Sequence, residues 1–87
     1  MAGRLRNIVR EPEFEEQLVR LLVNLEEADE FTLRAEMLLA SDPLAGSPSR
    51  DPDVWMLPMA PVRGREVWLY YAFDESRVVF LALLAFD

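Results

Sequence analysis

The chain has 87 residues, 52% of them hydrophobic and 29% charged, with a formal net charge of −7. Such a composition describes one small globular domain, residues 1–87, near the lower size limit for a single core, and excludes a disordered chain. There is no cysteine, histidine or lysine, and all nine positive charges are arginines, which excludes disulfides, thiol chemistry, imidazole bases and Schiff-base lysines.

An acidic chain is repelled by phosphate backbones, so nonspecific nucleic-acid binding is disfavoured. The charge is unevenly spread, however. Residues 1–10 carry three arginines and no acid, residues 11–53 carry twelve acids and three arginines, and residues 61–87 carry four acids and three arginines. A local positive face near Arg4, Arg6, Arg63, Arg65 and Arg77 is compatible with this distribution. No basic-then-apolar leader is visible, and the longest apolar run, Val78 to Phe86, is far short of the roughly 20 residues that cross a bilayer. The expected location is cytoplasmic, with no membrane partner.

In chain order, "RLRNIVR" predicts a short edge strand around Leu5, Ile8 and Val9. "EPEFEEQLVRLLVNLEEA" predicts a helix over about 12–27. Pro12 suits its first turn, and Glu13, Glu15 and Glu16 complement the helix dipole. Phe14, Leu18, Leu21, Leu22 and Leu25 form its apolar stripe. After a short break at "EEADE", Asp29 is the expected cap of a second helix, "EFTLRAEMLLAS". Its inward stripe is Phe31, Ala35, Leu38 and Leu39, with Arg34 and Glu36 turned outward. The pair is expected to form an antiparallel helical hairpin. "SDPLAGSPSRDPD" is an exposed loop.

"VWMLPMA" predicts a strand whose proline belongs at an edge or a bulge. "PVRG" is a turn, "REVWLYYAF" a strand, "DES" a tight turn and "RVVFLALLAF" a last strand, apolar enough to be central. Alternation assigns Val67, Leu69, Tyr71 and Phe73 to the helix side, and Glu66, Trp68, Tyr70 and Ala72 to the other. The expected order is β-α-α-β-β-β, an α+β fold with a helical hairpin packed on one face of a small antiparallel sheet. Leu21, Leu38, Val79 and Leu81 are expected in its core.

No phosphate loop, zinc spacing, nucleophile elbow or paired-carboxylate site is present, so no cofactor and no metal are expected. "EPEFEE" reads as a solvated first helical turn. The aromatic residues Trp55, Trp68, Tyr70, Tyr71, Phe73, Phe80 and Phe86 read mainly as core, Tyr70 being the better functional candidate because it shares a face with Glu66.

The ordered set of "PEFEEQLVRLL" after a short strand, "DPLAG" after the second helix and "YYAFDESRVVFLALLAF" at the close resembles the RelE/ParE superfamily of type II toxins over nearly the whole chain. That family has a tyrosine-arginine-x-x-tyrosine strand before a hairpin turn. Aligned by "DE", its second tyrosine matches Tyr70, its arginine falls on Val67 and its first tyrosine on Glu66. The resemblance implies a toxin-like component held by a cognate antitoxin-like chain, and a homodimer is compatible with it. RelE-like relatives cut ribosome-bound mRNA, their cationic side chains stabilising the developing charge; ParE-like relatives bind gyrase without catalysis. An enzyme built on this chain would need Tyr70 with Arg65 and Arg77 as catalytic candidates, and Arg63, Arg65 and Arg77 as nucleic-acid-binding candidates. The alternative is a non-catalytic protein that keeps the fold to hold a partner. An exposed apolar patch on the sheet would favour that alternative; arginines clustered beside Tyr70 would favour nuclease action.

Overall fold

The computed structural model describes residues 5–22 and 24–87. Its elements are β1 (Asn7–Arg10), α1 (Pro12–Leu21), α2 (Leu25–Ser41), β2 (Ser47–Pro48), β3 (Trp55–Pro58), β4 (Glu66–Phe73) and β5 (Arg77–Phe86), with a 3-10 turn at Pro43–Ala45. The strands form one sheet in the order β1-β5-β4-β3-β2, and both helices pack on one face of it. The class is the expected α+β, but the sheet is mixed rather than antiparallel. β1 runs parallel to β5 (Asn7 opposite Arg77, Arg10 opposite Phe80), because α1 and α2 carry the chain back between them. The loop also yields one strand that the sequence did not announce, the two-residue β2.

The break between the helices falls earlier than the apolar stripe implies. Leu22 is already extended, and Asn24, not Asp29, caps α2: its side-chain oxygen accepts from the backbone N–H of Glu26 at 2.8 Å and of Glu27 at 3.4 Å. Glu26 and Glu27 thus occupy the first turn, where the dipole favours acids. Leu25, expected on the first helix's inward stripe, starts α2 instead and is 78% exposed. Glu36, expected to face outward, is half-buried and ion-paired with Arg10 at 2.9 Å.

The core lies between sheet and helices. Phe14 and Leu18 from α1, Leu22 just past its end, and Ala28, Ala35 and Leu39 from α2 meet Val67, Leu69, Tyr71, Val78 and Phe80. Phe14 stands edge-on to Phe80, with centroids 5.2 Å apart. Of the four expected core residues, Leu38 is 44% exposed, and Leu21, Val79 and Leu81 are only half-buried. In β5 the reason is a bulge. Tyr70 pairs with Ala82 and Tyr71 with Phe80, leaving Leu81 between the rungs. Beyond it the alternation reverses, so Val78, Phe80 and then Leu83 point inward. β1 ends at Arg10, and past that point the Leu83 N–H donates at 2.6 Å to the Gln17 side-chain oxygen of α1.

Further polar ties hold the layers and the loop after α2 in place. Arg10 on β1 reaches Glu36 and the hydroxyl of the fully buried Thr32 on α2, and Glu15 on α1 at 3.3 Å. Burial alone would lower the Arg10 pKa, but the bonds and charges of Glu36 and Glu15 outweigh it and hold the group above its ordinary value. On β4, the buried Tyr71 hydroxyl donates to Pro43 O at 2.6 Å and accepts from Gly46 N–H at 3.1 Å, pinning the loop after α2. A Cβ on Gly46 would run into Met56 O and this hydroxyl, so the close approach needs glycine.

The contrast between Leu39, fully buried, and Leu38, 44% exposed, gives a direct check. Leu39→Ala is expected to cost about 2–5 kcal/mol in chemical or thermal melts, and Leu38→Ala roughly 0.5–1 kcal/mol. Equal losses would contradict this core.

Candidate functional site

Tyr70 sits mid-strand on the sheet face that the helices leave open, as alternation predicts. The register builds that face rung by rung: Ala72 opposite Val79, Tyr70 opposite Ala82 and Met56, Trp68 opposite Leu84 and Pro58, Glu66 opposite Phe86. Val9 continues it onto β1 beside Val79. No described helix or strand covers these residues. Trp68, Tyr70 and Met56 are half-buried by their neighbours, while Val9, Leu84 and Phe86 are 38%, 38% and 47% exposed. Formal charge on the strands of this face is confined to their ends. Glu66 stands at one end, its carboxylate accepting from the Trp68 indole N–H at 2.6 Å, and Arg77 at the other.

The arginines expected beside Tyr70 do not gather there. Arg63 and Gly64 are the central residues of a tight turn closed by the Val62–Arg65 bridge, with φ of 50° and 78°. Two consecutive positive φ values suit the twist of a two-residue hairpin. The Arg63 side chain turns to the helix side, donating to Leu21 O at 3.4 Å, where it satisfies a carbonyl at the end of α1. Arg65 lies before the first residue of β4 and bonds Asp87 at 3.1 Å and Ala85 O at 3.4 Å. Arg77 begins β5, 3.7 Å from Asp74. Arg6 joins it at that end, donating to Asp74 O at 2.7 Å. Tyr70 is five residues from Arg65 and four from the Asp74 turn, so each end is roughly 13–17 Å away along the strand. Arg4, the remaining member of the expected positive face, lies outside the described residues.

One arginine that sequence reasoning passed over does approach. Arg50 lines a shallow cleft with Ser49, Asp51, Met56 and Tyr70 at the edge of the open face. "SPSRDPD" signals only a loop. What brings it back is the short β2–β3 pairing, with Ser47 opposite Met56 and Met56 opposite Tyr70. A Ser49–Asp51–Asp53 set of side-chain-to-backbone bonds shapes the turn. The cleft therefore holds one tyrosine and one guanidinium, with a carboxylate beside them. Among the described residues no group of three or more acidic side chains could hold a metal ion.

No protein-family model matches the chain, and no curated protein matches its sequence.

The turn at the Arg77 end carries a titration. Asp74 accepts from Ser76 N–H at 2.8 Å, Arg77 N–H at 3.0 Å and the Ser76 hydroxyl at 3.0 Å. These hydrogen bonds, led by that from Ser76 N–H and helped by the Arg77 charge, hold its carboxyl below the usual aspartate range. A depressed carboxylate contributes stability that is present above the unfolded value, about 3.9, and lost as pH falls through the lower folded value. Melts between pH 7 and pH 2.5 are therefore expected to show a shallower acid loss for Asp74→Asn than for the unmodified chain. Parallel acid limbs would contradict this role for the turn.

Proposed function

We propose that this chain is a toxin-type, RelE/ParE-like protein that works by holding a partner polypeptide on its open sheet face, without cutting RNA. The observation that carries this reading is the contrast within the face itself. Its central strand residues are aromatic and aliphatic, with Arg50 and Asp51 beside them only in the edge cleft, while Arg65 and Arg77 are ion-paired at opposite ends and Arg63 is turned to the helices. RNA cleavage by an attacking 2′-hydroxyl needs positioned cations around the phosphate. A single arginine, Arg50, beside Tyr70 is a poor substitute, and neither lysine nor histidine is present to move the proton.

The composition of the face favours a protein ligand. β1, β5, β4 and β3 side by side make a surface roughly 15–20 Å wide, and the eight to ten residues of β4 and β5 run roughly 26–33 Å. With β1 and β3 only four residues long, the four strands present a flat area of roughly 400 Å², about half of the ~800 Å² per partner of a standard interface. Trp68 and Tyr70 are the residue types that dominate binding energy at the centre of such patches. The fitting partner is an antitoxin-like chain; a target such as gyrase would be held by the same surface.

The test is induced expression of the chain alone, followed by mapping of mRNA ends and growth. The expected result is no codon-phased cleavage. Growth arrest without cuts would assign a protein target. Codon-phased cuts lost in Tyr70→Phe and in Arg50→Ala or Arg65→Ala would overturn the proposal in favour of a ribosome-dependent nuclease.

A further inference from the structure

A second apolar surface lies on the opposite side of the sheet. Between α2 and the Leu57–Arg63 segment runs an open trough of about 640 Å³. Its floor is Ala35, Leu57 and Val62, all buried, and its walls are Phe31, Met59 and the 44% exposed Leu38. The α2 positions facing it, Glu27, Glu30 and Phe31, Arg34 and Ala35, and Leu38, follow i, i+3/i+4, i+7/i+8 and i+11 spacing. They mark one helix face over about 16 Å, or three turns.

Two features of this trough select its occupant. The first is the edge of β3. Met59 N–H donates to Val67 O, so its backbone faces β4 and the alternate residue, Pro58, faces the free edge. β2 pairs only with Trp55 and Met56, so no described strand covers that edge at Pro58, and proline has no N–H to offer an added strand. Pro61 removes a further donor in the same segment. An extended peptide laid there would forfeit ladder bonds, whereas a helix brings its own. The second is charge. Glu26, Glu27, Asp29 and Glu30 crowd the first turns of α2, and none of them enters an ion pair among the described residues. Arg63 on the rim donates to Leu21 O and keeps its charge, but the four acids in the first turns of α2 outnumber it, and Arg34 lies one helical turn beyond Glu30. The Glu27–Glu30 end of the trough therefore attracts cations.

We infer that this trough receives a basic amphipathic helix of about three turns from the partner polypeptide. Its aliphatic side chains lie between α2 and the β3–β4 connection, and its lysines or arginines meet Glu27 and Glu30. The inference rests on the proposed function only in taking the partner to be a polypeptide. It adds a second contact on the far side of the sheet, so that one chain gripping both surfaces gains affinity through effective concentration.

The experiment is selection from a displayed library of twelve-residue helices with varied apolar and charged positions, against the full chain. Affinities of the selected peptides are then measured against variants. The expected consensus has aliphatic residues at i, i+3/i+4 and i+7 and basic residues at one end. Leu38→Asp, or Glu27→Lys with Glu30→Lys, should weaken binding about tenfold or more, and Leu84→Asp on the open face should leave it unchanged. The charge-reversed variant should in turn select acidic helices, a gain that an unfolded variant would not show. Helices without basic residues, helices sensitive to Leu84→Asp instead of Leu38→Asp, or no enrichment would each overturn the inference while leaving the open-face reading standing. A homodimer dispersed by Leu38→Asp would overturn it by making a second copy the occupant. Binding in the trough together with a partner complex insensitive to Leu84→Asp would instead sustain the inference and sink the open-face reading.

Discussion

The pairing of β4 with β5, and the one unpaired residue inside it, decides what this molecule presents to its surroundings. With Leu81 set between the rungs, Phe80 and Leu83 both point to the helices and Leu84 points away. Without that extra residue, Ala82, Leu84 and Phe86 would have followed Phe80 inward, and the far half of the core would have been assembled from a different set of side chains. The bulge places Leu84 and Phe86 in line with Trp68 and Tyr70, making the open face continuously apolar. A one-residue change of register exchanges the faces of everything beyond it, so the surface chemistry rests on a backbone irregularity more than on composition.

The electrostatics follow the same division. The acids of α1 and of the α2 N-terminus lie on the helical layer, exposed and remote from the open sheet face. There the arginines serve structure. Arg10 joins β1 to both helices, Arg63 satisfies a carbonyl of α1, Arg65 secures the C-terminal Asp87, and Arg77 and Arg6 brace the Asp74 turn. A cation held in such a contact is poorly placed to meet phosphate without releasing its partner. The charge of −7 therefore marks the side of the molecule suited to basic partners, and the sheet face remains suited to apolar ones.

Much of the fold was legible because its signals are local. Period-two alternation on β4 assigned Val67, Leu69 and Tyr71 to the core and Tyr70 to the open face. The apolar run of β5 announced an internal strand, whereas the proline of β3 pointed to an edge strand or a bulge and β3 instead lies between β4 and the short β2, which stops before Pro58. What escaped depended on contacts between distant segments or on competition between local signals. The stripe ending at Leu25 outweighed Asn24 as a cap, although two acids after an asparagine form a helix start in their own right. Strict alternation through β5 hid the bulge, since nothing in "VFLALLA" distinguishes Leu81 from its neighbours. The parallel pairing of β1 comes from packing rather than from its four residues. The site was legible only in Tyr70. Arg63, Arg65 and Arg77 flank the strand in sequence but diverge in space, and Arg50 reaches Tyr70 only because the loop doubles back along β3.

The central claim, that a polypeptide covers the open sheet face, is tested most directly at Trp68. Trp55 lies on the helix side against Phe73, with centroids 5.5 Å apart, so Trp55→Phe leaves Trp68 as the single indole reporter. This variant is titrated with the product of the adjacent reading frame, with fluorescence emission and acrylamide quenching followed while sedimentation reports complex formation. The account predicts a blue shift and marked protection of Trp68 as the complex forms. A complex that forms while Trp68 keeps its emission and its quenching would contradict it.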